Sequence, residues 1–210
     1  MALRVLVADD HALIRESFRA LLERKGYVVA GEAVNGQDAV RMARELKPDI
    51  ALLDVSMPLL NGVDAGREIQ QAHKDTHVVL LTMHAEGHLL AAALRAGIRG
   101  YVLKSQPTDE LVQAMRAVMR RQMYLSPELS EFAVDACVNG GSDRAKPLAR
   151  RERQVLQLVA EGKTSKEIGT VLGVGTKTAE SYRARVMKKL DIHDTAGLVR
   201  YAIRQGMVQA

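Results

Sequence analysis

The sequence is poor in aromatic residues. Among 210 residues there is no Trp, with two Phe and five Tyr, so any core must be built from Leu, Val, Ile, Ala and Met. A single cysteine, Cys137, cannot close an intrachain disulfide, which points to a reducing compartment and a cytoplasmic setting. No run of about eighteen apolar residues occurs, so neither a transmembrane helix nor a membrane partner is expected. The start, MALRVLVADDHALIR, reaches an acidic pair after a short apolar run, unlike a secretory signal. Internal repeats and low-complexity tracts are absent as well. With 47% hydrophobic and 26% charged residues the chain reads as ordinary globular protein, long enough for one or two domains.

The charge is uneven. Residues 1–147 hold 18 Lys+Arg against 19 Asp+Glu, a net of −1, whereas residues 148–210 hold 12 against 6, a net of +6. A polyanionic partner is therefore expected for the C-terminal part alone.

The first 125 residues alternate strand and helix patterns. Strand candidates begin at Arg4, Val28, Ile50, Val78 and Gly100, several of them continuous apolar runs that suit strands covered on both faces. Amphipathic stretches lie between them, such as Ile14, Phe18, Leu21 and Leu22. Five strand–helix repeats predict right-handed crossovers and a doubly wound α/β fold, a five-stranded parallel sheet of order 2-1-3-4-5. Residues 126–147, with Ser126-Pro127, Asn139-Gly-Gly-Ser-Asp and Pro147, read as a linker. From 148 to 210 everything reads as a small all-α domain of four helices. Thr164-Ser-Lys-Glu167 is a capping-box pattern, and Gly173-Val-Gly-Thr is a turn short enough for a helix-turn-helix.

In such a sheet, ligands bind outside the carboxyl ends of strands one and three. Asp9 and Asp10 follow the first strand and Asp54 follows the third, so three carboxylates converge. A divalent cation would relieve their repulsion, and all-oxygen ligation suits Mg²⁺. Thr82 and Lys104 end strands four and five at the same edge. A hydroxyl and an ammonium beside these carboxylates point to phosphoryl handling, with a carboxylate as nucleophile and an acyl phosphate as product. Singly, each piece has a blander reading: a helix cap, a solvated lysine, a good strand residue. It is their meeting at one edge that argues for chemistry.

With Asp9-Asp10, Asp54 inside Leu53-Asp-Val-Ser-Met-Pro58, Gly62, Thr82, Tyr101 and Lys104 in this order, residues 1–125 resemble the CheY-like receiver domain of bacterial response regulators. The resemblance implies that Asp54 is the phosphoacceptor. It implies Asp9, Asp10, Asp54 and the Ser56 carbonyl as the Mg²⁺ site, and Lys104 as the phosphoryl contact. Thr82 and Tyr101 would be the switch pair, Tyr101 turning inward as Thr82 moves toward the phosphoryl group.

The C-terminal part carries Arg150, Arg151 and Arg153 on its first helix and a further set of basic residues on its third. Arg151-Glu152…Val155-Leu156, Ala160-Glu-Gly162…Lys166-Glu167-Ile168 and Lys177-Thr178…Arg183-Ala-Arg185…Lys188-Lys-Leu190 resemble the LuxR-type DNA-binding domain over about 60 residues. By that resemblance the third helix reads DNA. Glu180, Ser181 and Ala184 would face base edges, while Lys177, Thr178, Tyr182, Arg185 and Lys188 would lie near phosphates or flanking bases. There are departures from the family pattern. Ala149 and Gly175 stand where a Thr and a Ser are usual, and Ala179 and Tyr182 where a Val and a His are. The first helix is thus expected to lack a side-chain cap.

As a whole the chain resembles the NarL/FixJ family of two-component response regulators. That implies a transcription regulator rather than a metabolic enzyme, phosphorylated on Asp54 by a sensor histidine kinase, binding paired DNA half-sites as a homodimer. Two competing readings fit less well. A receiver serving only as a phosphorylation-independent dimerisation module would be expected to lack part of the acidic set or the lysine. A Mg²⁺-dependent phosphatase of the haloacid dehalogenase type would carry Asp-x-Asp after its first strand.

Overall fold

A computed structural model describes residues 2–83, 87–129 and 148–208. Continuous apolar runs form the sheet: β1 (Arg4–Ala8), β2 (Val28–Ala33), β3 (Ile50–Asp54), β4 (His77–Thr82) and β5 (Gly100–Leu103). Between and after them come α1 (Ala12–Arg24), α2 (Gly36–Leu46), α3 (Gly62–Ala72), α4 (Gly87–Arg95) and α5 (Thr108–Met119). All strand pairs are parallel, and β1 lies between β2 and β3. The expected strand order holds, with one addition. A two-residue strand, β6 (Tyr124–Leu125), pairs with β5 and makes the sheet six-stranded, in the order β2-β1-β3-β4-β5-β6. Two residues cannot show a strand period, which is why the sequence gives no sign of it.

Helices cover both faces, and the side chains of β1, β3 and β4 alternate between two cores. On one face Leu6, Ala51, Leu53 and Leu80 meet Ala39, Val40, Ala65, Ile69 and Leu90 of α2, α3 and α4. On the other, Val7, Leu52, Val79 and Leu81 meet Leu21 and Leu22 of α1 and Leu111 and Met115 of α5. Ser126 and Leu129, at the start of the expected linker, are fully buried, and Leu129 joins the first of these cores. Cys137, Asn139-Gly-Gly-Ser-Asp and the rest of the expected linker lie outside the described residues.

The C-terminal part is all helical: α6 (Arg150–Ala160), α7 (Ser165–Leu172), α8 (Thr176–Leu190) and α9 (Thr195–Arg204). Its core gathers Val155, Leu156, Ile168, Leu172, Ala179, Val186, Leu198 and Ala202. The capping box opens α7: Thr164 Oγ1 accepts from the Glu167 N–H, and Glu167 Oε2 accepts from the Thr164 N–H at 2.8 Å. Gly173 closes α7 in the left-handed region at φ +66°, where a side chain would be strained. As expected, α6 has no side-chain cap at Ala149. Half of a box survives, because Glu152 Oε2 accepts from the Ala149 N–H at 2.7 Å.

Candidate functional site

Parallel β1, β3 and β5 end at one edge, and this brings the acidic residues and the lysine together. Lys104 Nζ lies 2.6 Å from Asp9 Oδ2 and 2.9 Å from Asp54 Oδ1, with all three side chains at most 6% exposed. The peptide after β5 fixes that lysine, since the Lys104 N–H donates to the Thr82 carbonyl at 2.7 Å. Burial raises the Asp54 carboxyl above the usual carboxylate range, while Lys104 opposes and Asp9 and Asp10 reinforce the rise. For Lys104 burial works against the charge, but Asp54 and Asp9 outweigh it and its pKa is raised.

Asp10 stands on the open side of this cluster, 36% exposed. His11, which sequence reasoning did not single out, joins it: Nδ1 is 2.9 Å from Asp10 Oδ1, and the His11 N–H donates to Asp9 Oδ1 at 2.9 Å. Asp9, Asp10 and His11 bring one potential ligand atom each within 4.8 Å of one another. The carboxylate oxygens suit a hard cation such as Mg²⁺. Asp54 is not in that group but across Lys104 from it, and Ser56 is half-buried two residues further on. Thr82 is buried at the end of β4. Tyr101 is 1% exposed, so its ring already occupies the inward position.

Close backbone packing holds Asp54 in place. Gly62, the first residue of α3, donates its N–H to the Val55 carbonyl. A Cβ at Gly62 would lie 2.1 Å from the Asp54 carbonyl oxygen, so only glycine lets α3 approach Asp54 this closely.

In the helical part, α7, a three-residue turn and α8 form a helix-turn-helix. The turn is tight, since a Cβ at Gly169 would meet the Val174 carbonyl oxygen at 2.8 Å. Ala179 and Val186 of α8 face the core. Lys177, Glu180, Ser181, Ala184 and Lys188, spaced as one helix face, are exposed, with Thr178 and Arg185 beside them. Tyr182 is half-buried, and the Arg185 guanidinium sits 5.6 Å from its ring centroid. Every residue expected to touch DNA therefore lies on one stripe of α8. Arg150 and Arg153 of α6 do not extend it. Arg150 pairs with Glu68, and Arg153 Nε lies 2.9 Å from Asp64 Oδ1, both partners on receiver helix α3.

Two families match the chain, and they divide it as the fold does. Residues 5–116 match the response regulator receiver domain, and residues 146–202 match the bacterial regulatory proteins of the luxR family. The transcriptional regulatory protein MctR of Rhizobium johnstonii is 37% identical over 98% of this chain and 95% of its own length. The response regulator GacA of Pseudomonas protegens is 36% identical over 99% of both chains. Among solved structures, RcsB from Salmonella enterica serovar Typhimurium, bound to promoter P1flhDC with phosphomimetic BeF3−, matches with a TM-score of 0.65. It is 27% identical over 96% of this chain and 98% of that one. A receiver fold with its acidic edge, followed by a helix-turn-helix, defines a two-component response regulator. This chain belongs to the NarL/FixJ family of such regulators, and is a transcription regulator rather than a metabolic enzyme.

Proposed function

We propose that phosphorylation of Asp54 controls sequence-specific DNA binding by α8, and thereby transcription. The observation that carries this is the Lys104 ammonium spanning Asp9 and Asp54 at a sheet edge that Asp10 opens to solvent. A carboxylate oxygen of Asp54 forms the new O–P bond as the donor's bond breaks: P–N of a phosphohistidine on a sensor kinase, or P–O of a small acyl phosphate. Lys104 neutralises the phosphoryl oxygens, and buried Thr82 stands at the same edge to receive one of them. Asp9, Asp10, Asp54 and the Ser56 carbonyl would hold Mg²⁺, which supplies charge neutralisation at the transferring group. Thr82 and Tyr101 are the switch pair.

On α8, Lys177, Thr178, Tyr182, Arg185 and Lys188 anchor phosphates, and Glu180, Ser181 and Ala184 face bases. A homodimer reads paired half-sites, in the cytoplasm, with residues 126–147 linking the two domains. Among the described residues no helix is long and apolar enough to cross a membrane.

Selection of bound fragments from genomic DNA, with and without acetyl phosphate, tests this. Wild type should enrich a paired half-site pattern that sharpens with phosphodonor, and Asp54→Ala should show no such response. Equal enrichment by both proteins, donor or not, would support a phosphorylation-independent regulator instead.

A further inference from the structure

Where the two domains meet, a cleft is left open. It offers about 530 Å³ between α2 and the loop after β3 on the receiver and α6 and α7 on the DNA-binding domain. Small-molecule sites run from roughly 300 to 1,000 Å³ and recur at domain interfaces. Its apolar walls are Val40 and Leu60 on the receiver side and Val171 and Leu172 on the other. Val40, Leu60 and Leu172 are members of the two domain cores, so these walls are fixed by packing.

The charge of the cleft is not balanced. Four arginines line it against two carboxylates, Glu45 and Glu68, a net of +2. Two of the arginines are taken: Arg41 bridges Asp38 and Glu45 on its own helix, and Arg150 pairs with Glu68. The other two have no carboxylate among the described residues. Arg44, on α2, is exposed and makes no ion pair or side-chain hydrogen bond there. Arg151, on α6, donates only to the Gln154 amide oxygen, at 3.0 Å. One uncommitted guanidinium thus comes from each domain, and such planar forks match the oxygens of a phosphate.

Gln154 adds a donor to the same cleft. It is 4% exposed, and a buried amide normally has both ends satisfied. Its Oε1 accepts from Arg151, but its Nε2 donates to no described residue. That nitrogen is not shut off from solvent, so it opens into the cleft that Gln154 lines. The last turn of α7 lines the cleft as well, and a helix C-terminus disfavours an anion. The uncharged end of a ligand therefore belongs against Val171 and Leu172, and its charged end on the arginines.

We propose that this cleft binds a small organic phosphate. Arg44 and Arg151 hold the phosphate dianion, Gln154 Nε2 donates to it, and an apolar or aromatic body lies between Val40, Leu60, Val171 and Leu172. The bound ligand bridges receiver and DNA-binding domain, which gives the regulator a chemical input that does not depend on Asp54. No residue of α8 lines the cleft, so this anion site is separate from the DNA-reading stripe.

Equilibrium dialysis of the full chain against 1-naphthyl phosphate tests this, in EDTA so that no Mg²⁺ occupies the acidic edge. Wild type should bind one equivalent with a Kd below about 1 mM, an affinity that about fifteen non-hydrogen atoms can support. Inorganic phosphate, which lacks the body, and 1-naphthoate, which lacks the second charge, should each bind about tenfold more weakly or worse. Arg44→Gln and Arg151→Gln, each alone, should weaken the probe by about tenfold or more, and Gln154→Leu by about fivefold. Arg24→Gln removes the same charge from the exposed end of α1, on the other face of the sheet, and should bind as wild type does. Arg44 and Arg24 are both exposed, so neither substitution threatens the fold. The site is overturned if wild type fails to bind in that range, if naphthoate binds equally well, or if Arg24→Gln costs as much as Arg44→Gln. Loss with only one of Arg44→Gln and Arg151→Gln would confine the anion to one domain and overturn the bridging.

Discussion

Replacing Lys104 by Met removes the cation at the heart of the receiver and keeps much of its length and apolar volume. Nζ lies 2.6 Å from Asp9 and 2.9 Å from Asp54. At an effective dielectric of about 20, each pairing is worth roughly 6 kcal/mol of gross attraction. Most of that is returned in taking three charges out of water. Removing one partner, however, leaves two buried carboxylates facing each other, which costs about 3–5 kcal/mol. With a urea m-value of about 2 kcal/mol per M, the receiver midpoint should fall by roughly 1.5–2.5 M. The sign with pH is fixed. With Lys104 gone, only influences that raise the Asp54 pKa remain: burial, Asp9 and Asp10. A folded-state pKa above the unfolded one means the deficit is present at neutral pH and shrinks as pH falls through it. Adding Asp54→Asn to Lys104→Met should recover much of the loss by removing one of the two opposed charges. A neutral-pH loss below about 1 kcal/mol, or no recovery in the double variant, would refute the view that this lysine compensates two buried carboxylates.

Gly62→Ala should impair fold and chemistry together. Its Cβ would lie 2.1 Å from the Asp54 carbonyl oxygen, so overpacking costs about 1–3 kcal/mol and displaces the phosphoacceptor; urea unfolding and acetyl phosphate labelling should both report it, and normal labelling would contradict it. Ala149→Thr restores an acceptor at an N-cap with suitable backbone angles, φ −65° and ψ 161°, and should stabilise the helical domain by about 0.5–2 kcal/mol in thermal unfolding. Lys177→Ala and Lys188→Ala should weaken binding to every duplex and flatten the salt dependence by about 0.9 for each DNA phosphate that is no longer neutralised. An unchanged slope would take those residues off the DNA backbone.

How much of this was legible in the sequence depends on the range of the interaction. Continuous apolar runs gave the strands and their burial on both faces, and the strand-end positions of Asp9, Asp10, Asp54, Thr82 and Lys104 gave the acidic edge. Capping chemistry located α7, and the missing cap at Ala149 was visible as an alanine. β6 escaped because two residues carry no period. His11 escaped because a polar residue beside an acidic pair looks like a solvated helix start. The hydrogen bonds from Gln157 and Glu161 to the backbone of the loop between β3 and α3 had no signal at all. Gln157 on α6 and Glu161 just after it are ordinary polar residues by sequence, and their hydrogen bonds to the loop after Asp54 exist only because another domain lies against them. Arg150 and Arg153 add to the positive charge that marks the helical domain, yet their partners are Glu68 and Asp64 on α3. Charge counting finds a polyanion-binding domain but cannot apportion each arginine between nucleic acid and protein.

The proposed control of DNA binding rests on Asp54 as the group that accepts phosphate, and the intact mass of the full chain after incubation with acetyl phosphate and Mg²⁺ tests that directly. Wild type should gain one phosphoryl group that is lost on brief treatment with hydroxylamine, as an acyl phosphate is, and Asp54→Ala should gain none. Equal gain by both proteins would place the phosphate elsewhere and contradict the assignment.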